Sequence, residues 1–102
     1  MQVAIPIMRK MVIEELGKAG LKVLMILYRN GGQGTVSFIH SEGVGHSSFY
    51  SAYATLLAHG LVTEKRRGNA RIIILTPLGQ EIAEKICELD NFFNEKISKK
   101  TK

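Results

Sequence analysis

Residues 61–79, LVTEKRRGNARIIILTPLG, constrain the fold of this chain more than any other stretch. An alternating segment that begins at Val62 and a β-branched run, Ile72–Ile74, lie on either side of Gly68 and Asn69. Glycine and asparagine tolerate the positive φ that a short hairpin turn requires, so we predict two antiparallel strands joined by a tight turn. Four cations lie near this turn, against the single acid Glu64: Lys65, Arg66, Arg67 and Arg71. A hairpin tip with this charge is typical of a surface that meets a polyanion.

Residues 35–60 predict two short helices ahead of the hairpin. Thr35 is placed as the N-cap of the first helix, and Gly43 and Gly45 mark the turn that follows it. Gly60 lies where a left-handed cap would end the second helix. The apolar face of the second helix is predicted from the spacing i, i+4, i+7, i+8, which selects Phe49, Tyr53, Leu56 and Leu57. Two short helices, a turn and a basic hairpin follow in the order of a winged helix-turn-helix.

Residues 43–86 resemble the DNA-binding core of small prokaryotic winged-helix regulators of the MarR, PadR and ArsR kind. The segment Gly43-Val44-x-x-Ser47-Ser48-x-Tyr50 is similar to the turn and recognition-helix start of that group. His59-Gly60-Leu61-Val62 resembles its helix-to-strand exit, and Leu75-Thr76-Pro77-Leu78-Gly79-x-Glu81 resembles its entry from the wing into the last helix. With the first core helix, the likeness covers residues 20–97. It implies an α+β, mostly helical winged helix-turn-helix with extra N- and C-terminal helices.

The chain is interpreted as a single domain, since 102 residues that are 45% hydrophobic suffice for one core. Pro6 is placed to begin an N-terminal helix over residues 7–18, and Gly17 and Gly20 are expected to interrupt the helical pattern there and just beyond. The predicted winged core spans residues 20–76, with a loop at residues 30–34. A C-terminal dimerisation helix over 77–97 and a basic tail over 98–102 follow. No apolar run approaches the roughly 20 residues of a membrane span, so we expect a cytoplasmic protein without membrane contact.

The predicted last helix carries an apolar seam. Its apolar residues recur at i, i+4, i+7, i+11 and i+15, which is close to a coiled-coil pattern. A helix of about 20 residues is about 30 Å long, which exceeds what a small winged domain needs to cover its own core. We predict a homodimer formed through the terminal helices, as the resemblance also implies; the alternative is packing against the first helix of the same chain. The residues assigned to this interface are Met8, Met11, Ile82, Ile86, Leu89, Phe92, Phe93 and Ile97.

Double-stranded DNA is the predicted partner. The net charge is +5, and five of the nine acids lie between Glu81 and Glu95. The positive charge is therefore concentrated in the hairpin and the N-terminal part, a separation that orients a protein on a polyanion. The recognition-helix residues predicted to contact DNA are His46, Ser47, Ser48, Tyr50, Ser51 and Thr55. Those of the wing are Lys65, Arg66, Arg67, Asn69 and Arg71.

Two features depart from the pattern of a sequence-specific reader. No Lys or Arg lies between Arg29 and Lys65, so the predicted recognition helix lacks the side chains most used to contact guanine. Gly45 stands where the family usually has a Ser or Thr cap. Modest base specificity and readout of DNA shape both stay open. For Lys18, Lys22 and Arg29, an ordinary solvated helix face stands as the alternative to DNA contact.

The sequence offers little support for an enzyme or a metal site. It has no nucleophile elbow and no phosphate-binding glycine loop after a strand. Cys87 is the single cysteine of the chain, so an intramolecular disulfide is excluded. We interpret Cys87 as a small apolar residue, and an intersubunit disulfide is the alternative. His40, His46 and His59 lack the spacing of a helical metal pair, so no cofactor is predicted. We expect His46 to face nucleic acid and His59 to cap its helix.

The function predicted from these features is sequence-specific transcriptional regulation by a homodimeric repressor. An architectural DNA-binding protein with little sequence preference is one alternative. A winged-helix protein-interaction module is the other. Whether a small-molecule effector is sensed is left open.

Overall fold

The structure is a computed structural model that describes the backbone of residues 11–100 and the side chains of residues 11–98. Its elements are α1 (Val12–Arg29), β1 (Gln33–Thr35), α2 (Val36–Ser41), α3 (His46–Ala58), β2 (Val62–Arg67), β3 (Ala70–Leu75) and α4 (Pro77–Lys100). Within this range, four helices and one small antiparallel sheet form the mostly helical α+β architecture predicted from the sequence.

Helix α1 is broken at Gly17, where φ is 67° and ψ is 179°. A positive φ strains any residue that carries a Cβ, so glycine allows the bend between the short segment before it and the longer one after it. The predicted interruption at Gly17 is confirmed. The interruption predicted at Gly20 is wrong, since Gly20 continues the helix and is buried. The predicted N-terminal helix begins outside the described residues, and Met8 lies wholly outside them.

The sheet has the strand order β1-β3-β2, and both strand pairs are antiparallel. Strands β2 and β3 pair from Val62↔Leu75 to Arg67↔Ala70, which confirms the predicted hairpin. Gly68 has a φ of 62°, and no described residue other than glycine has a positive φ. A positive φ at the first of two turn residues alone is the sign pattern of a type II′ turn, which matches the twist of the flanking strands.

Strand β1 corrects the prediction that residues 30–34 form only a loop. Gln33–Thr35 pairs with β3, and the Gly32 carbonyl accepts a hydrogen bond of 2.8 Å from the backbone N–H of Leu75. A strand of 3 residues is too short to show an alternating pattern. Strand β1 is therefore recognised only from its pairing with the edge of β3. Thr35 ends this strand and caps α2 as predicted, because its hydroxyl accepts a hydrogen bond of 3.0 Å from the Phe38 N–H.

The core lies between α1, α3 and the inner face of the sheet. On α3, Phe49 and Leu56 are buried and Tyr53 is half-buried, as predicted. Leu57 is 43% exposed, so its assignment to the apolar face is wrong. It follows Leu56 by one residue and therefore points about 100° away around the helix axis. The largest fully buried side chains are Val23, Leu24, Leu27, Ile39, Phe49, Leu56 and Ile73.

The start of α4 is tied to the end of α3. The Thr76 hydroxyl donates a hydrogen bond of 2.7 Å to the Gly60 carbonyl and accepts one of 3.0 Å from the Gly79 N–H. A Cβ at Gly79 would overlap the carbonyl oxygen of Leu61 and lie 2.9 Å from its carbonyl carbon. Thr76 and Gly79 thus fix the direction in which α4 leaves the sheet. Gly60 adopts the predicted left-handed conformation, with a φ of 71°.

Helix α4 has two halves with different surroundings. Ala83 is buried, and Ile82 and Ile86 are half-buried against the core of their own chain, as the alternative interpretation of the seam proposes. Cys87 is half-buried, with its Sγ 3.8 Å from the Sδ of Met25. The apolar residues farther along are exposed, by 61%, 55%, 60% and 42% in chain order: Leu89, Phe92, Phe93 and Ile97.

The helix continues to Lys100, so the tail predicted from residue 98 is helical for three more residues. None of the helices described between residues 11 and 100 combines the length and the apolar composition needed to cross a bilayer.

Candidate nucleic-acid interface

Helix α3 buries one face and exposes a polar one. Phe49 and Leu56 face the core, and at about 100° per residue Ser47 lies on the opposite side. Tyr50 and Ser51 lie on either side of Ser47, so a hydroxyl-rich stripe runs along the exposed face. The exposed residues among those predicted to contact DNA are His46, Ser47, Ser48, Tyr50 and Ser51.

The flank of α3 that turns toward α1 carries Ser48 and Thr55. Both side chains line a cleft of about 430 Å³, together with Lys18 on α1. Thr55 is half-buried, and its hydroxyl donates a hydrogen bond of 3.2 Å to the carbonyl of Ser51 within the same helix. Gly45 is the N-cap of α3 and supplies no side-chain hydrogen bond, so the first turn of α3 has no side-chain cap.

The hairpin sorts its charged residues onto two faces. Successive side chains of a strand point to opposite sides, and Arg66 is paired directly with Arg71. Glu64, Arg66 and Arg71 therefore share one face, and Lys65 and Arg67 occupy the other. The exposed residues among those predicted for the wing are Lys65, Arg66, Arg67 and Asn69.

Arg71 is held by neighbouring side chains. Its Nε and Nη2 donate hydrogen bonds of 3.0 and 3.1 Å to the two carboxylate oxygens of Glu64. The Tyr53 hydroxyl donates to the same carboxylate, and the Arg71 guanidinium carbon lies 5.6 Å from the centroid of the Tyr53 ring. Tyr53 in turn stacks on the buried Phe49, with the centroids 5.5 Å apart. We call Tyr53, Glu64 and Arg71 the wing–helix cluster.

The wing–helix cluster corrects the expectation of four exposed cations at the tip. Three of them are exposed, whereas the Arg71 side chain is only 25% exposed. Strand alternation directs Arg71 toward α3, on the same face of the hairpin as Glu64. The Glu64 carboxylate of β2 and the Tyr53 ring of α3 therefore surround its guanidinium group. The cluster connects the hairpin to the hydrophobic core through the Tyr53 ring.

The fold is similar to those of known winged-helix proteins. An archaeal protein reported as a mechanosensitive channel and described as a structural homolog of MarR-like transcriptional regulators superposes with a TM-score of 0.74, at 19% identity over 100% of this chain and 88% of that one. A MarR transcriptional regulator from Methanosarcina mazei Go1 superposes with a TM-score of 0.71, at 19% identity over 84% of this chain and 60% of that one. The chain has a winged-helix fold. The resemblance noted in the sequence is thereby confirmed for the fold.

A third similar structure is AF1382 from Archaeoglobus fulgidus, with a TM-score of 0.68 and 25% identity over 76% of this chain and 89% of that one. No protein-family model matches the sequence, and no curated protein matches it significantly. In the winged helix, α2 and α3 form the helix-turn-helix, and β2 and β3 form the wing.

Electrostatics keep the wing–helix cluster charged at neutral pH. The hydrogen bonds from Arg71, followed by the one from Tyr53, lower the pKa of Glu64 to about 2. Burial raises the pKa of the Tyr53 phenol, and the neighbouring Glu64 carboxylate raises it further. At neutral pH, Glu64 is therefore ionised and Tyr53 is protonated. The negative charge of Glu64 is neutralised locally by Arg71.

His59 closes the other end of α3. It is the C-cap residue, as predicted, and its Nδ1 lies 2.9 Å from the Thr55 carbonyl. Its Nε2 lies 3.0 Å from the Glu15 carboxylate on the short segment of α1. Both partners are acceptors, so the protonated ring satisfies both by donating. The Thr55 carbonyl is the main cause that raises the pKa of His59, and Glu15 contributes.

His40 and His46 come together across the turn between α2 and α3. Their ring centroids are 4.1 Å apart, and the His40 Nδ1 donates a hydrogen bond of 2.7 Å to the Val44 carbonyl. His46 is therefore exposed on one side and packed against His40 on the other. No three His, Cys, Asp or Glu side chains gather as a metal site within the described part of the chain.

Sequence reasoning missed the ion pair between Glu64 and Arg71, the histidine pair and the contact between Glu15 and His59. The first had a usable signal, since the turn fixes the register of the hairpin and places Arg71 diagonally across from Glu64 on the same face. The contact between Glu15 and His59 had none, because 44 residues separate the two.

Proposed function

We propose that this protein is a double-stranded DNA-binding transcriptional regulator that acts as a homodimeric repressor, most simply by occluding a promoter. One observation carries the proposal. The wing–helix cluster holds a cationic hairpin, with Lys65, Arg66 and Arg67 exposed, beside the polar face of α3. The superposition on MarR-like regulators supports the same function.

In this proposal α3 enters the major groove with its hydroxyl-rich stripe. Ser47 and Ser51 are exposed on the side opposite the core and suit hydrogen bonds to phosphates or base edges. Tyr50 is 52% exposed and suits contact with a thymine methyl group or a phosphate. The helix carries no Lys or Arg, so the wing supplies the charge that holds α3 in place.

The wing cations act from two faces. Arg66 lies on the face toward α3, and Lys65 and Arg67 lie on the opposite one, so the wing contacts phosphate on both sides or inserts into a minor groove. Asn69 at the turn accompanies them. Arg71 is a positioning residue, because its guanidinium is engaged by Glu64.

Dimerisation in this proposal uses the distal half of α4. Each large apolar side chain buried there stabilises the pair by roughly 1.5–3 kcal/mol. A two-fold axis through this helix places two winged domains on half-sites about one DNA turn apart. The apolar residues available in the described chain are Met11, Leu89, Phe92, Phe93 and Ile97. Ile82 and Ile86 serve the core of their own chain.

The proposal is tested by enriching bound sequences from a random duplex pool and by measuring affinity by fluorescence anisotropy over a salt series. We expect a conserved half-site repeated at one-turn spacing, and a steep negative slope of log affinity against log salt concentration. Replacing Arg66 and Arg67 by Gln should flatten that slope by roughly two units for each bound protomer if both side chains contact phosphate. If this protein binds no duplex DNA at low salt, the proposal is wrong.

Architectural DNA binding with little sequence preference is the second candidate. It is favoured by one observation, the absence of Lys and Arg from α3. Competition by genomic DNA separates the two functions. A regulator retains its selected site in the presence of a large excess of competitor, whereas an architectural protein is displaced in proportion to the competitor mass.

A further inference from the structure

Two lysines of α1 lie beside α3 on the side opposite the wing. A cleft of about 310 Å³ is lined by Lys18 and Lys22 from α1, by the turn around Gly43 and Gly45, and by Ser48 of α3. Lys18 also lines the neighbouring cleft along α3. The two clefts share Lys18, Ala19 and Ser48 in their linings, and we call them together the lysine trough.

Lys22 is held over this trough by the turn that precedes α3. Its Nζ donates a hydrogen bond of 3.4 Å to the Gly43 carbonyl. Gly43 has a φ of 99°, and a Cβ there would lie 3.1 Å from the same Nζ. The ammonium group has two further N–H groups that this contact does not use. This contact places the Lys22 ammonium group beside the turn that precedes α3.

The lysine trough and the wing lie on different sides of α3. Ser48 faces the trough and Tyr53 faces the wing, and the two are five residues apart, which is about 140° around the helix axis. That 140° arc contains the buried face of α3, and the exposed stripe with Ser47 and Tyr50 occupies the remaining arc of about 220° between the two flanks. A helix in the major groove has a phosphate backbone on each side of it, so cations on both flanks match the two strands of one groove.

We propose that the lysine trough binds a backbone phosphate of duplex DNA on the strand opposite the one held by the wing, with Lys18 and Lys22 as the cationic ligands and Ser48 as a hydroxyl donor. This inference rests on the proposed function and adds a second anchoring site to it. The two anchors set the depth and rotation of α3 in the groove, which explains how a helix without Lys or Arg is oriented there.

The charges around the trough support an anionic ligand. Glu15 lines the adjoining cleft, but its carboxylate contacts His59 at 3.0 Å. The acids of α4 lie on another element, which does not line either cleft. Among the residues that line the two clefts, Lys18 and Lys22 carry the positive charge, and the one acid, Glu15, is paired with His59.

The test compares two variants of equal net charge by fluorescence anisotropy, with a labelled duplex about three helical turns long over a salt series. Lys18→Gln/Lys22→Gln removes the lysines of the trough. Lys85→Gln/Lys96→Gln removes the same charge from α4. We expect the trough variant to flatten the slope by roughly 0.9 units for each bound protomer, as the loss of one phosphate contact does, and the α4 variant to retain the wild-type slope. Lys18→Arg/Lys22→Arg should keep the wild-type slope.

Each contrary result has a distinct meaning. If the trough variant keeps the wild-type slope while Arg66→Gln/Arg67→Gln flattens it, the trough is not a phosphate site and the proposed function stands. If the trough variant and the α4 variant flatten the salt slope equally, the effect comes from net charge alone and the inference is wrong. If the wild-type chain binds no duplex, the proposed function fails and the inference fails with it. Circular dichroism on every variant establishes that each is folded.

Discussion

Arg71 and Glu64 form a two-point ion pair within the wing, with Nε to Oε2 at 3.0 Å and Nη2 to Oε1 at 3.1 Å. Tyr53 joins the same carboxylate from α3, so the pair sets how the wing is oriented relative to the helix. An acid next to a DNA-binding surface normally weakens binding by repulsion. In the proposed DNA-binding role, Glu64 instead holds the wing in place, so its removal is expected to weaken DNA binding rather than to strengthen it.

Glu64→Gln should therefore lower DNA affinity, by about tenfold, although it removes a negative charge. The amide loses the charged pairing with Arg71, and the wing is no longer held against Tyr53. Fluorescence anisotropy with duplex DNA measures the change. Glu81→Gln removes the same charge from the exposed surface of α4 and should leave affinity unchanged or raise it. Tighter binding by Glu64→Gln would show that Glu64 acts only as a repulsive charge.

The depressed pKa of Glu64 also predicts a pH dependence of stability. Its folded-state pKa of about 2 lies below the usual value of 4.5. The ion pair therefore stabilises the fold fully above pH 4.5, and this contribution is lost as the pH falls toward 2. Thermal unfolding of wild type and Glu64→Gln between pH 6 and 2 should give melting temperatures that converge at the acid end. A constant difference across this range would contradict the assignment.

His59 predicts the opposite dependence at higher pH. Its pKa is raised above 6.5 by the Thr55 carbonyl and then by Glu15, so its contribution is fully present below pH 6.5 and is lost as the pH rises through the raised value. The melting temperature of the wild type should fall more between pH 6 and 9 than that of His59→Gln. Glu15→Gln should remove part of this dependence, and Glu42→Gln, at an exposed acid, should remove none. Equal slopes for wild type and His59→Gln would count against the contact.

Gly79→Ala should destabilise the fold by about 1–3 kcal/mol, as overpacking against fixed atoms does. The new Cβ meets the backbone of Leu61, which has no rotamer to change. Urea unfolding measures the loss. Gly45→Ser is the matched control, since nothing lies within 4 Å of its Cβ position and it is the N-cap of α3. A serine there should gain roughly a few tenths of a kcal/mol. Equal stability of Gly79→Ala and wild type would disprove the close approach.

Phe93→Glu should convert the proposed dimer into a monomer. A phenylalanine buried at the interface contributes roughly 1.5–3 kcal/mol in each protomer, so its loss from both raises the dissociation constant at least about a hundredfold. Sedimentation equilibrium measures the mass. Asn91→Glu adds the same charge to an exposed polar position of α4 and should leave the dimer intact. A monomeric wild-type chain would remove the dimer from the proposal.

Local patterns were sufficient for most of the fold. Thr35 as a cap, Gly60 as a helix end and Gly68 in the hairpin turn each follow from residues a few positions apart, and each is observed. The same reasoning missed β1, because three residues carry no period, and it placed Leu57 on the wrong face of α3. The DNA contacts assigned to the candidate residues stay predictions.

The sequence by itself determined the two helices of the helix-turn-helix, the last helix, the hairpin with its turn and the cationic character of its tip. Only the tertiary structure decided that Arg71 pairs with Glu64 beside Tyr53, that Lys18 and Lys22 lie beside Ser48, and that α4 covers its own core with one half alone. The physical reason is range. Backbone conformation and apolar periodicity act between neighbours along the chain, whereas ion pairs, clefts and exposed faces arise where distant segments are brought together by burial of the core.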